Sequence, residues 1–232
     1  MSPIHFTPIA ILHAPYRDKF GVPRQSGLVT GLPATIELLP PYNRPEAVTG
    51  LEPFSHLWIQ FLFHLNPATP WQPMVRPPRL GGNRKIGVFA SRAPFRPNPI
   101  GLSAVRILAI HAAPDDVRIE IDGADLVDGT PILDLKPYIP YSDAIPNASG
   151  GFAPHPPQPQ LCVHFTPQAQ AQLTPQLETQ LRHLLELDPR PAYHANQPRQ
   201  RSYAMRLYHY EIKWKVDEGV ATVLEISSNA GG

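Results

Sequence analysis

Apolar and polar residues alternate along short stretches of this chain, and proline and glycine separate the stretches. Val117, Ile119 and Ile121 alternate with Arg118, Glu120 and Asp122, the period of a half-exposed strand. Leu133 and Leu135 alternate with Asp134 and Lys136. Leu57–Phe63 is nearly all apolar, as a strand buried on both faces would be. Leu102 to Ile110 is a further apolar run. No long amphipathic helix separates these runs, as repeated β–α–β units would require. An antiparallel sheet or barrel is therefore predicted for the first part of the chain.

Gly150-Gly151 followed by Phe152-Ala153-Pro154-His155-Pro156-Pro157-Gln158-Pro159 is the clearest change in composition. Proline restrains itself and its neighbour, so this reads as a partly extended linker. The expected division is residues 1–154 and 155–232. In the second part, Leu161–Phe165 reads as a short strand. Thr174-Pro175 reads as a helix cap with proline at the first position, ahead of Leu177, Leu181, Leu184 and Leu185 at helical spacing. Tyr208, Tyr210, Ile212, Trp214 and Val216 alternate with polar residues, and Asp217-Glu218-Gly219 turns the chain into Val220, Thr222, Leu224 and Ile226. This is a predicted hairpin, and the region a small α+β unit.

Proline numbers 31 of the 232 residues, which disfavours long helices and central strands. Twenty Lys and Arg against 19 Asp and Glu leave a net charge of +1. A protein that coats nucleic acid by bulk charge is strongly basic, so any RNA contact here must use a local basic patch. No apolar stretch is long enough for a bilayer, and a basic, apolar leader is not evident at the start. Cys162 is the single cysteine, so no internal disulfide forms, which fits a cytoplasmic protein.

Common site motifs are missing. There is no G-x-G-x-x-G, and Val88 stands where the Gly82–Gly87 glycine spacing would need a P-loop lysine. His56 and His64 would lie about 26 Å apart along one strand, too far for one metal, so no metal site is expected. No G-x-S-x-G elbow occurs. Asn98-Pro99-Ile100 lacks the second proline and the aromatic of the amino-methyltransferase Asn-Pro-Pro-aromatic motif and reads as a turn.

What remains is a set of dense polar and proline-rich segments: Pro15-Tyr16-Arg17 to Pro23-Arg24-Gln25, Gly50 to Trp58, Val75 to Gly82, Gly87 to Arg92, Phe95 to Gly101, and Asp125-Leu126-Val127-Asp128-Gly129 to Tyr138. In this order they closely resemble the TsaA-like family of tRNA methyltransferases over roughly residues 4–146. Asp188-Pro189-Arg190-Pro191-Ala192-Tyr193 and the hairpin near Tyr203–Val216 resemble the carboxy-terminal extension of its bacterial members. The resemblance implies a single-sheet, barrel-like methyltransferase domain followed by the small α+β unit. It implies S-adenosylmethionine as cofactor, bound near the interface of a homodimer. The acceptor would be the exocyclic nitrogen of threonylcarbamoyladenosine at position 37, beside the anticodon of threonine tRNA. The matching cofactor positions are Pro23, Arg24, Gln25, His64, Leu65, Arg92, Leu102, Asp125, Leu126, Val127 and Asp128.

Methyl transfer from a sulfonium is an in-line displacement, so alignment supplies most of the gain. The acylated nitrogen is a poor nucleophile while protonated, and a base would help. Asp125, Asp128, Asp134 and Tyr138 are the candidates. Arg96, Lys213 and Lys215 are candidates for the RNA, and Arg24, Arg92 and Arg96 for the threonyl carboxylate. Two other readings stay open at this point: a non-catalytic RNA-binding barrel, and a methyltransferase with a non-tRNA acceptor.

Overall fold

The structure is a computed structural model that describes Ser2 and residues 4–66, 70–191, 194 and 201–228. Six strands close into an antiparallel barrel: β1 (Ala10–His13), β2 (Ala34–Leu38), β3 (His56–Leu62), β6 (Ile100–Ala113), β7 (Asp116–Asp122) and β8 (Thr130–Pro137), in the order β1-β2-β7-β6-β3-β8 and back to β1. Between β3 and β6 lies a small ribbon of β4 (Met74–Val75) and β5 (Ile86–Gly87). Closure removes the sheet's open edges. Leu12, Ile36, Leu57, Ile59, Ile119, Ile121 and Ile132 fill the interior and are almost wholly buried. In a barrel this small the side chains leave no lumen. A one-turn helix, α1 (Pro140–Asp143), follows, and its Asp143 accepts a 2.8 Å bond from the Trp58 indole.

The second sheet holds β9 (Cys162–Phe165), β10 (Ser202–Leu207), β11 (Tyr210–Asp217) and β12 (Val220–Ser228), in the order β10-β11-β12-β9. The strands β10 to β12 are antiparallel, and β9 runs parallel to β12. Between β9 and β10 come α2 (Pro167–Gln170) and α3 (Pro175–Glu186). The Thr174 hydroxyl caps α3 through the Leu177 N–H at 3.2 Å, a contact that stabilises a helix by about 1 kcal/mol. Leu177, Leu181, Leu184 and Leu185 bury its apolar stripe. Glu218 and Gly219 turn the β11–β12 hairpin with positive φ at both positions, as a two-residue turn matched to strand twist requires. Ala192 and Tyr193, the end of the proline-rich segment that begins at Asp188, lie outside the described residues.

Four sequence expectations are corrected in detail. The apolar run in β3 buries only Leu57, Ile59 and Phe61; Trp58, Gln60 and Leu62 face outward and are half-covered. In β8 the buried apolar residue is Ile132 rather than Leu133, because the β3–β8 register shifts at Gln60/Phe61. Asp122 is buried instead of half-exposed: the loop before β2 folds over it, and its carboxylate accepts from the N–H groups of Gly31 (2.9 Å) and Leu32 (3.3 Å). In β12 the core takes Ala221, Val223 and Ile226, whereas Val220, Thr222 and Leu224 are half-exposed. A bulge at Lys213/Trp214 makes Leu224 the extra residue, and such an insertion moves side chains to the other face.

Candidate active site

Four connections meet at one end of the barrel. Phe61 lies near the end of β3, and the turn after that strand carries Phe63, His64, Leu65 and Asn66. Lys19, Val22 and Pro23 come from the β1–β2 connection, Pro94 from the β5–β6 connection, and Asp125, Leu126 and Val127 from the β7–β8 connection. Together they enclose a cleft of about 220 Å³ that opens to solvent. Side-chain bonds to backbone tie its walls: Lys19 Nζ donates to the Leu65 carbonyl, and Asn66 Nδ2 to the Pro94 carbonyl at 2.8 Å.

Asp125 is the acid inside this cleft. It accepts a 2.6 Å bond from the hydroxyl of Ser103, which projects inward from β6. Burial pushes the Asp125 carboxyl above the usual carboxylate range. Ser103, backbone N–H groups at Asp125 and Ser26, and the positive charge of Arg92 oppose that shift without cancelling it. Apolar walls around one acceptor group suit a ligand that carries a flat ring and hydroxyl or amino donors.

The structure brings together Pro23, His64, Leu65, Asp125, Leu126 and Val127 from the expected cofactor set. Arg92 is exposed at the rim and donates to the Leu102 carbonyl at 2.8 Å, while the Leu102 side chain points outward. Arg24 donates to the carbonyls of Asp188 (3.2 Å) and Arg190 (3.0 Å), and Gln25 bonds back to the Arg24 carbonyl. Arg96 is spent on the carbonyls of Val88 (3.3 Å) and Ser91 (2.7 Å). Three of the four candidate bases stand apart from the cleft lining. Asp128 accepts from the Ala14 N–H at 2.9 Å and pairs with Arg17, which fastens the turn after β1. Asp134 bonds the Leu135 N–H and pairs with Lys136. Tyr138 packs beside His56 and Trp58. Lys213 pairs with Glu225 at 3.2 Å, and Lys215 lies on the same strand.

Sequence reasoning did not single out Lys19, Phe61, Phe63, Asn66, Pro94 or Ser103. Phe61 and Phe63 were absorbed into an apolar run. Ser103 carried a readable signal, a hydroxyl at an inward position among Gly101, Val105 and other small or apolar residues.

The second sheet grips the loop that supplies one wall. Asp18 receives two bonds from Arg206, at 2.8 and 2.6 Å. Tyr208 N–H donates to the Pro15 carbonyl at 2.7 Å, and Arg17 N–H to the Arg206 carbonyl at 3.3 Å. Phe20 stacks against Trp214 and Tyr203, with ring centroids 6.2 and 6.0 Å away. Lys19, Val22 and Pro23 thus sit on a segment braced from behind. The brace extends to Arg24 through the nearly buried Asp188–Arg190 pair, whose two bonds are both 2.7 Å.

The family model for the tRNA-methyltransferase O N-terminal domain matches residues 11–144, and the model for the TrmO C-terminal domain matches residues 158–229. A tRNA (adenine(37)-N6)-methyltransferase of Escherichia coli is 44% identical over 224 residues, 94% of this chain and 95% of that one. A Pseudomonas aeruginosa protein, provisionally described as an S-adenosylmethionine-dependent methyltransferase, is 43% identical over 215 residues, 90% of each chain. A crystal structure of TrmO from Pseudomonas aeruginosa superimposes with a TM-score of 0.79 at 34% identity and covers 98% of both chains.

Proposed function

Since the chain belongs to the tRNA-methyltransferase O family, we propose that its acceptor is the N6 nitrogen of threonylcarbamoyladenosine at position 37 of threonine tRNA. The chain is an S-adenosylmethionine-dependent tRNA (adenine(37)-N6)-methyltransferase. The observation that carries the finer reading is the cleft at the barrel end, with one acid inside and an exposed arginine beside it that makes a single backbone bond.

S-adenosylmethionine supplies an electrophilic methyl group on a sulfonium. The residues present fit it: Phe63, Leu126 and Val127 offer apolar walls, and Asp125 offers an acceptor for its amino or hydroxyl groups. In this reading Asp125 would also take the N6 proton as that nitrogen bonds to the methyl carbon, the carbon–sulfur bond breaks and the neutral thioether leaves. Its raised pKa suits it to that work, because a base is most effective when its pKa lies near the working pH. Ser103 holds the carboxylate in one orientation.

Arg92 is assigned to the threonyl carboxylate. Arg24 and Arg96 are each committed to two backbone carbonyls, whereas Arg92 has one such bond and faces solvent. A planar guanidinium offers a carboxylate two parallel bonds, which an ammonium does not. The test compares methyl transfer to threonine tRNA from normal cells with transfer to the same tRNA lacking the threonylcarbamoyl group. Wild type should reject the latter strongly, and Arg92→Lys should lose that discrimination although its charge stays. Equal rates of wild type on both tRNAs would sink this assignment.

A second copy of the chain completes the site in this reading. The cleft, at about 220 Å³, falls below the roughly 300–1,000 Å³ usual for small-molecule sites. Leu65 of the cleft lining is exposed, and so are Trp71, Phe89, Phe95 and Leu102 of the β3–β6 region. Sedimentation should give a dimer; a fully active monomer would overturn it. A cytoplasmic location follows from the tRNA substrate. Among the described residues no helix is long and apolar enough to cross a membrane.

A further inference from the structure

A second cavity of about 580 Å³ lies on the other side of the same loop, against the outer face of the barrel. Its walls are Gly27, Thr30 and Gly31 from the β1–β2 connection, His56 of β3, Ala104 and Arg106 of β6, and Asp122 and Gly123 at the end of β7. None of these belongs to the cleft that holds Asp125. We infer that this cavity is an RNA subsite that receives a nucleotide next to the target adenosine, with Arg106 on its phosphate.

The position is the first argument. One loop lines both cavities: Lys19, Val22 and Pro23 face the cleft, and Gly27, Thr30 and Gly31 face the second cavity. The Gly27 N–H donates to the Gly123 carbonyl at 2.9 Å and stitches the loop to the connection that carries Asp125 two residues later. The backbones there approach so closely that a Cβ on Gly123 would meet Gly27 at 3.3 Å. The two cavities therefore flank one loop, the arrangement that sites for adjacent nucleotides of one strand require.

Chemistry is the second argument. The Asp122 carboxylate already has two backbone N–H donors on one oxygen. Arg106 reaches its other oxygen through one contact at 3.3 Å, and the arginine side chain is 57% exposed. A guanidinium carries five N–H donors, so most of its capacity is turned toward solvent and open to a phosphate. The volume lies within the range that small-molecule sites occupy. Gly27, Gly31, Ala104 and Gly123 put little side-chain bulk into the space. Beyond His56 the wall continues as an aromatic row: His56 to Tyr138 is 6.1 Å and Tyr138 to Trp58 is 5.6 Å between ring centroids. Half-exposed rings beside a cation are the combination that holds single-stranded nucleic acid through stacking and phosphate contact. This also answers how a chain of net charge +1 engages RNA: through a local cation and stacking surfaces.

The inference rests on tRNA being the acceptor, so wild-type methylation of total tRNA is the control that tests that reading by itself. Three variants test the subsite: Arg106→Ala, Ala104→Phe, which fills the cavity from the β6 face, and Thr30→Glu, which adds a repelling charge. The latter two leave the Arg106–Asp122 pair in place. Each is measured for tRNA affinity across a salt series and for S-adenosylmethionine affinity by calorimetry. The expected result is a loss of about tenfold or more in tRNA affinity, with cofactor affinity within about twofold of wild type. Arg106→Ala should also reduce the slope of log K against log salt by about 1, the signature of one lost phosphate contact. Wild-type tRNA affinity in Ala104→Phe and Thr30→Glu with cofactor binding intact would overturn the inference, as would an unchanged salt slope in a folded Arg106→Ala. Should one variant fail to bind cofactor, the other two decide the matter by the same criteria. Equal weakening toward tRNA and toward a free nucleotide monophosphate would assign the cavity to a small anion instead and equally overturn it.

Discussion

Gly101 on β6 stands opposite Phe61 on β3. A Cβ at Gly101 would lie 2.2, 2.3 and 2.7 Å from three atoms of the Phe61 ring, where carbon atoms normally rest about 3.5–4.0 Å apart. Gly101 is not in the left-handed backbone region, so Gly101→Ala carries no conformational strain, and its whole effect comes from this contact. To accept the methyl, the ring must retreat by roughly 1.3 Å or more. Phe61 is buried, touches the edge of Phe63 with centroids 5.0 Å apart, and lines the cleft. Retreat therefore disturbs the aromatic pair and intrudes on the cofactor's space. Overpacking of this kind costs about 1–3 kcal/mol. At roughly 2–4 °C per kcal/mol for a chain of this size, Gly101→Ala should melt about 2–12 °C lower. Cofactor affinity should fall by about tenfold or more, a change of about 1.4 kcal/mol, because the displaced ring takes up space in the cleft. Differential scanning fluorimetry and calorimetric titration read the two effects. Adding Phe61→Leu, which makes room, should recover part of the binding. If Gly101→Ala melts and binds like wild type, the close approach of β3 and β6 does not shape the cleft, and the reasoning is wrong.

Asp125 gives a pH prediction with a definite sign. Burial raises its folded pKa above the unfolded value, so the folded state holds that proton more tightly. The corresponding stability is present at acid pH and is lost as pH rises from the ordinary carboxylate range through the raised folded value. Asp125→Asn should therefore flatten this part of the pH–stability curve and abolish most methyl transfer. Ser103→Ala removes a bond that favours the ionised form, so the acid limb of the rate profile should move to higher pH; an unmoved limb would exclude Asp125 as the base. At the domain junction, Asp188→Ala leaves the nearly buried Arg190 guanidinium without its two bonds, a loss of about 3–5 kcal/mol for buried pairs. It should also raise KM for S-adenosylmethionine more than it lowers kcat, because the segment whose backbone carbonyls hold Arg24 is no longer fixed by the Asp188–Arg190 pair; a pure stability loss with unchanged KM would detach the brace from the cleft.

The strands were legible because a barrel interior imposes period two on every strand. Val117, Ile119 and Ile121 announce their face without help from the rest of the chain. The errors fell where a partner strand decides. A bulge at Gln60/Phe61 hands the core position to Ile132, and another at Lys213/Trp214 makes Leu224 the extra residue. Neither bulge leaves a mark in the local alternation. Asp122 was misread for a related reason: what buries it, the Gly31–Leu32 turn, lies about ninety residues earlier.

The site shows the same limit more sharply. Asp125 and Asp128 lie three residues apart in one run, and local sequence treats them alike. The fold separates them by what each meets. Asp125 turns into the barrel end, where Ser103 and the charge of Arg92 face it. Asp128 turns back toward β1, where Ala14 and Arg17 occupy both its oxygens. Asp128 holds a backbone N–H on one oxygen and a guanidinium on the other and stands outside the cleft lining, whereas Asp125 lines the cleft and burial raises its pKa. The distinction between a fastener and a candidate base is therefore made by residues on two other elements of the barrel, and it becomes readable only once β1 and β6 are placed on either side of the loop.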